Sequence, residues 1–170
     1  MSRFVATFAA VSIAAAGCSD DPPPESESAF VFEPGPAFAA PAISLRGVEV
    51  TSDRVVLEVV GHGLGSLYGV AWRLSYAPNI LALHEMTPAP AWTAAAAREG
   101  APGLLVAGIS GTGAFPGADV DGDALVTLRF DLARSSPTSI EFVVDRSMAE
   151  AADGTAIPDM TWVGGALVVR

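Results

Sequence analysis

The chain has 170 residues, enough for one domain plus tails and for a core that stands without disulfides or metals. Its nine basic residues are all Arg, against 19 Asp and Glu, and a formal net charge of -10 argues against a nucleic-acid binder, which needs clustered positive charge. The lack of Lys excludes a Walker A loop, a Schiff-base Lys and a Ser–Lys dyad; the single Cys excludes an internal disulfide and a Cys-rich metal site.

Met1 to Arg3 is a short basic start, and residues 4–16 are uncharged and mostly Ala, Val, Phe and Ile. At about 1.5 Å per residue this run falls short of a ~30 Å hydrocarbon core, so it reads as a signal segment rather than a permanent span. Ala15-Ala16-Gly17-Cys18 follows and resembles a bacterial lipobox, with Ala15 where Leu is usual. The resemblance implies that residues 1–17 are a lipoprotein signal peptide and that Cys18 carries the lipid; the competing reading is an ordinary signal peptide with an incidental Cys. Ser19 directly after Cys18 implies export across the inner membrane and sorting to the outer one, with the lipid as the sole anchor to the cell envelope.

Residues 18–42 are expected to form an acidic, Pro-rich tether. They hold Asp20, Asp21, Pro22, Pro23, Pro24, Glu25, Glu27 and Glu33, then Pro34, Pro36 and Pro41. Prolines favour extended backbone and like charges repel, which makes a semi-stiff spacer. Phe30, Val31, Phe32 and Phe38 interrupt it, either to pack on the domain or to form a short partner-binding motif.

From residue 43 to residue 170 the pattern turns to period two. Val48 and Val50 flank Glu49, and Val55, Leu57 and Val59 alternate with Val56, Glu58 and Val60. Val70, Trp72, Leu74 and Tyr76 alternate with Ala71, Arg73 and Ser75. Val126, Leu128 and Phe130 follow the same rule, as do Ile140, Phe142 and Val144, then Leu167 and Val169. Such alternation puts one set inward and the other outward, and β-branched and aromatic residues suit a pleated surface. Turn signals separate the runs, at Ser52-Asp53, 61–66, 77–79 and 135–137. Residues 80–84 and 104–109 fit two further strands, and 92–99 (WTAAAARE) reads as a helix of about two turns. The fold class is all-β, a sandwich or jelly roll.

The order of these features resembles a cohesin domain. Cohesins carry a run of the form G-x-x-x-x-L-x-Y-x-P-x-x-L, which here spans Gly69 to Leu81, with Ala77 where an Asp is usual. Their later L-x-T-L-x-F run matches Leu125 to Phe130, and their closing strand matches Gly165 to Val169. The resemblance covers about residues 43–170. It implies a jelly-roll β-sandwich of the cohesin type that docks a protein partner, a dockerin-like module, on a sheet face. Carbohydrate-binding modules share this sandwich, so a polysaccharide ligand is the alternative.

Little in the chain points to catalysis, and the expected activity is binding rather than enzymatic. Gly108-Ile109-Ser110-Gly111-Thr112 misses the nucleophile elbow by one Gly and does not lead into a helix. His62 and His84 have no ligand spacing. Asp119, Asp121 and Asp123 stand at alternate positions and could offer oxygens to Ca²⁺. An EF-hand starting at Asp119 would need Gly and Glu where Ala124 and Phe130 stand, so a solvated turn is the favoured reading and no cofactor is expected. Aromatics are only 8% of the chain, and Trp72 and Tyr76 fall on the core phase, which leaves no evident sugar platform. On the outward phase, Arg73 and Arg129 are the candidate partner-binding residues, since Arg pairs bidentately with carboxylates.

Overall fold

Strand follows strand in the computed structural model, which describes residues 30–170. In chain order the strands are β1 (Phe30–Pro34), β2 (Ala42–Val50), β3 (Arg54–His62), β4 (Leu64–Tyr76), β5 (Leu81–Pro88), β6 (Ala94–Ala101) and β7 (Leu104–Ser110). They continue with β8 (Ala118–Val120), β9 (Asp123–Leu132), β10 (Thr138–Phe142), β11 (Met148–Ala151), β12 (Thr161–Val163) and β13 (Gly165–Val169), with a 3₁₀ turn at Val144–Arg146. The first sheet runs β1-β13-β10-β4-β7-β6, and β8 and β11 also pair with β4. The second runs β12-β2-β3-β9-β5. Pairing is antiparallel apart from β12 on β2.

The core lies between the sheets and follows the alternation. Trp72 and Leu74 of β4 and Leu105 and Ile109 of β7 face Leu57 and Val59 of β3 and Leu128 and Phe130 of β9, all buried. Tyr76 meets Phe130 edge-on at 5.2 Å between ring centres, which joins the two sheets.

Three segments differ from expectation. The strand expected to run through Val144 ends at Phe142, and Val144 opens the 3₁₀ turn with 55% of its surface exposed. Residues 94–101 are strand β6, not a helix. Four alanines favour a helix weakly, but β7 offers a full edge, and the register from Ala94 opposite Ser110 to Glu99 opposite Leu105 outweighs local propensity. The expected tether also contributes a strand. Phe30 to Pro34 pair with β13 from Val169 back to Gly165. The Phe32 ring fills the space where a Cβ on Gly165 would stand, and it also packs against Gly47 of β2. The aromatic residues of this segment therefore belong to the sandwich.

Candidate functional site

The sandwich has two outer faces, and their chemistry differs. On the second sheet several charges are paired, while Arg54 of β3 forms no ion pair among the described residues. Arg46 forks onto Glu58 with its Nε and Nη2 at 2.9 and 2.7 Å from Oε2. Arg129 lies 3.2 Å from Glu85, and His84 lies 3.3 Å from Asp131. Exposed pairs of this kind add about 0–1 kcal/mol each, and they leave Arg46 and Arg129 already matched.

The outer face of the first sheet carries a trough of about 510 Å³. Its floor is built from the outward phase of three strands: Gly69 and Ala71 of β4, Gly108 and Ser110 of β7, and Ala94 and Ala96 of β6. The glycines keep the floor low. A Cβ on Gly69 or Gly108 would come within 3.1 Å of a carbonyl oxygen on the neighbouring strand. Met148, which is exposed, and Glu150 border the trough from β11. The next row across the strands is Arg73, Val106 and Arg98. Neither Arg73 nor Arg98 forms an ion pair among the described residues.

Arg73 and Arg129 are thus not brought together. Both hold the outward phase, as the alternation implies, but β4 and β9 belong to different sheets and the two side chains point away from opposite faces. Arg98 is the residue that shares a row with Arg73. Sequence reading misses it because it falls in the segment read as a helix, where period-two phase has no meaning.

The three aspartates stand beside the start of β4 and accept backbone hydrogen bonds. Asp119 accepts the Ser66 backbone N–H at 2.9 Å, and Asp121 accepts that of Gly63 at 3.2 Å. Asp123 accepts the Asp121 N–H at 3.4 Å. Gly63 and Ser66 have φ of 59° and 51°, so these carboxylates brace the left-handed turn between β3 and β4. Among the described residues, no three His, Cys, Asp or Glu side chains are grouped to hold a metal ion. His62 bonds Ser44 Oγ at 2.9 Å, but Ser44 is buried and no carboxylate bonds that ring among the described residues. The pair ties β2 to β3 rather than forming a nucleophile with its base. Trp72, Trp92 and Tyr76 are buried, and Phe38 is the one aromatic among the exposed large hydrophobic residues of the described chain, so neither outer face offers an aromatic row. Cys18 lies outside the described residues.

No protein-family model matches the chain, and no curated protein matches it in sequence. Solved structures do match. The chain is similar to a type II cohesin dyad from the adaptor ScaA scaffoldin of Acetivibrio cellulolyticus, with a TM-score of 0.64 and 11% identity over 75% of this chain and 48% of that one. It is similar to CaCohA2 of Clostridium acetobutylicum, with a TM-score of 0.62 and 12% identity over 73% of this chain and 87% of that one. A third is the sixth cohesin from the scaffoldin B of Acetivibrio cellulolyticus, solved in complex with a dockerin, with a TM-score of 0.61 and 12% identity over 73% and 95%. The architecture is therefore the jelly-roll β-sandwich of the cohesins; at such identities the likeness establishes the fold.

Proposed function

We propose that this protein is a non-catalytic, lipid-anchored module of the cell envelope that docks a dockerin-like protein partner on the outer face of its first sheet. The observation that carries the reading is the trough beside Arg73 and Arg98. Its small-residue floor admits close approach of a partner helix, and its two unmatched guanidinium groups call for carboxylates. On the second sheet Arg46 and Arg129 already have Glu58 and Glu85, which leaves Arg54 as its one Arg without an ion pair among the described residues. The complexes of similar cohesins with dockerins support the class of partner.

Calorimetric titration against a panel of purified dockerin modules tests this. Binding should appear for at least one module, fall at least tenfold with Ala96→Trp, which fills the trough, and fall about tenfold with Arg73→Ala. Arg129→Ala should leave it unchanged. Equal binding by all variants would move the site off this face. Failure with every dockerin, alongside binding to a polysaccharide array, would replace the protein partner with a carbohydrate.

A further inference from the structure

On the outer face of the first sheet, the outward residues form rows across the strands. One row runs from Met148 of β11 over Ala71 and Gly108 to Ala96 of β6. On one side of it lies the row of Arg73, Val106 and Arg98, and on the other the row that begins with Glu150 and Gly69. Rows lie about 7 Å apart along the strands, while the four strands span about 14 Å, so the trough is longer across the strands than along them. Beyond Met148 the middle row has no side chain larger than a methyl group, and it forms the bed of the trough.

The charges beside this bed have a fixed spacing. Arg73 and Arg98 stand two strand spacings apart in one row, about 10 Å. Glu150 stands on the opposite flank at the β11 end, half-buried, and none of the three forms an ion pair among the described residues. An extended segment crossing the strands offers same-face side chains about 7 or 13 Å apart, which misses the Arg spacing. A helix offers them about 10.5 Å apart, seven residues on, which meets it.

On the premise that this face docks a partner, we infer that the partner lays a helix across β4, β7 and β6 with two acidic side chains seven residues apart, the first on Arg73 and the second on Arg98. The direction follows from the end charges. Glu150 favours the positive N-terminal end of the helix at β11, and Arg98 favours its negative C-terminal end at β6. The helix belongs to another protein. Residues 18–29 of this chain are unfit to supply it, because Pro22, Pro23 and Pro24 stand between Asp21 and Glu25 and break a helix there. A second copy offers no α-helix among the described residues.

The test is an NMR titration of the full chain with two stapled helical peptides of sixteen residues, alike in their Leu, Ala and Gln. One carries Glu at its fifth and twelfth positions, the other at its fifth and ninth. The first should bind about threefold more tightly or better. Arg98→Glu should weaken it about tenfold, at an unchanged melting temperature because Arg98 is exposed. Replacing the twelfth-position Glu of the peptide by Arg should then recover the loss, and replacing the fifth-position Glu should not. Equal binding at both spacings, or recovery through the fifth position, overturns the helix geometry; if Ala96→Trp still abolishes that binding, the docking face stands without it. Binding of neither peptide also overturns the geometry, and the dockerin titration then decides the docking face by itself.

Discussion

Gly165 has no side chain because Phe32 stands where one would lie. The same ring covers Gly47, so one aromatic residue of β1 closes against two strands from different sheets. Gly165→Ala should therefore destabilise by about 1–3 kcal/mol through overpacking. Phe32→Ala should lose about 2 kcal/mol of buried apolar contact. Their effects should add only in part: losing the ring relieves the closest contact, although the Glu33 carbonyl oxygen still stands 2.7 Å from the new methyl, so the double variant should be somewhat more stable than the sum of the singles predicts. Chemical denaturation of the four proteins checks this, and strict additivity would show that the ring does not hold β1 in place. Deep in the core the expectation is simpler. Leu74 is fully buried between the sheets, and Leu74→Ala should cost about 2–5 kcal/mol in the same assay.

Strand β6 shows how an element with weak local preference is held. It is the last strand of the first sheet, and nearly all its residues are exposed. Besides its ladder to β7 it has a side-chain tie, the Tyr76 hydroxyl donating to the Glu99 carboxylate at 2.5 Å. Burial of the phenol pushes its ionisation well above the ordinary Tyr range, and the Glu99 hydrogen bond and charge push it further. A raised pKa means that the folded state holds the proton more tightly than the unfolded one. The tie's contribution is then complete below about pH 10, where unfolded Tyr ionises, and is lost as pH rises above it. Above about pH 10 the melting temperature should fall more steeply in the wild type than in Tyr76→Phe, which has no phenol to ionise. Parallel curves would remove Tyr76 from the alkaline transition. The element scale is also where sequence reading succeeds and fails. The phases of β4, β9 and β10 follow from their alternation, because each buries mainly one face and a slip by one residue would turn its apolar set outward, whereas β3 buries Val56 and Val60 as well as Val55, Leu57 and Val59. β6 lacks that signal: Ala is small enough for either face, and the helix preference of an Ala run was free to mislead. β1 is hidden for another reason. Its partner is β13, at the far end of the chain, and Pro34, Pro36 and Glu33 around it carry the composition of a linker.

At the scale of the whole molecule, alternation tells inside from outside but not which sheet a strand joins. That is why Arg73 and Arg129 look equivalent in the sequence and stand on opposite faces in the fold. The path of the first sheet also orders the module relative to its anchor. β1 and β6 are its two edges, five strand spacings apart, or about 24 Å. The tether enters at β1, and the trough lies toward β6. Eleven residues separate Cys18 from Phe30, a span of at most about 40 Å, so a lipid on Cys18 would keep the β1 edge within about 40 Å of the membrane, with the trough at the far side of the sheet from the point of attachment. This arrangement depends on Cys18 being the anchor. It is the one Cys of the chain and follows Ala15-Ala16-Gly17, and among the described residues no helix is long and apolar enough to cross a membrane. A lipid at this position would then fix the location and attach the module through its β1 edge. Cys18→Ser should remain an unprocessed precursor or leave the membrane fraction, while wild type should fractionate with membranes and be released by detergent. The two outcomes are read from cell fractionation and from the mass of the purified chain, which for the wild type should lack residues 1–17 and carry acyl groups. A Cys18→Ser protein that fractionates and migrates as wild type does would show that the chain is held at the envelope by some other contact, and the attachment through β1 would no longer follow.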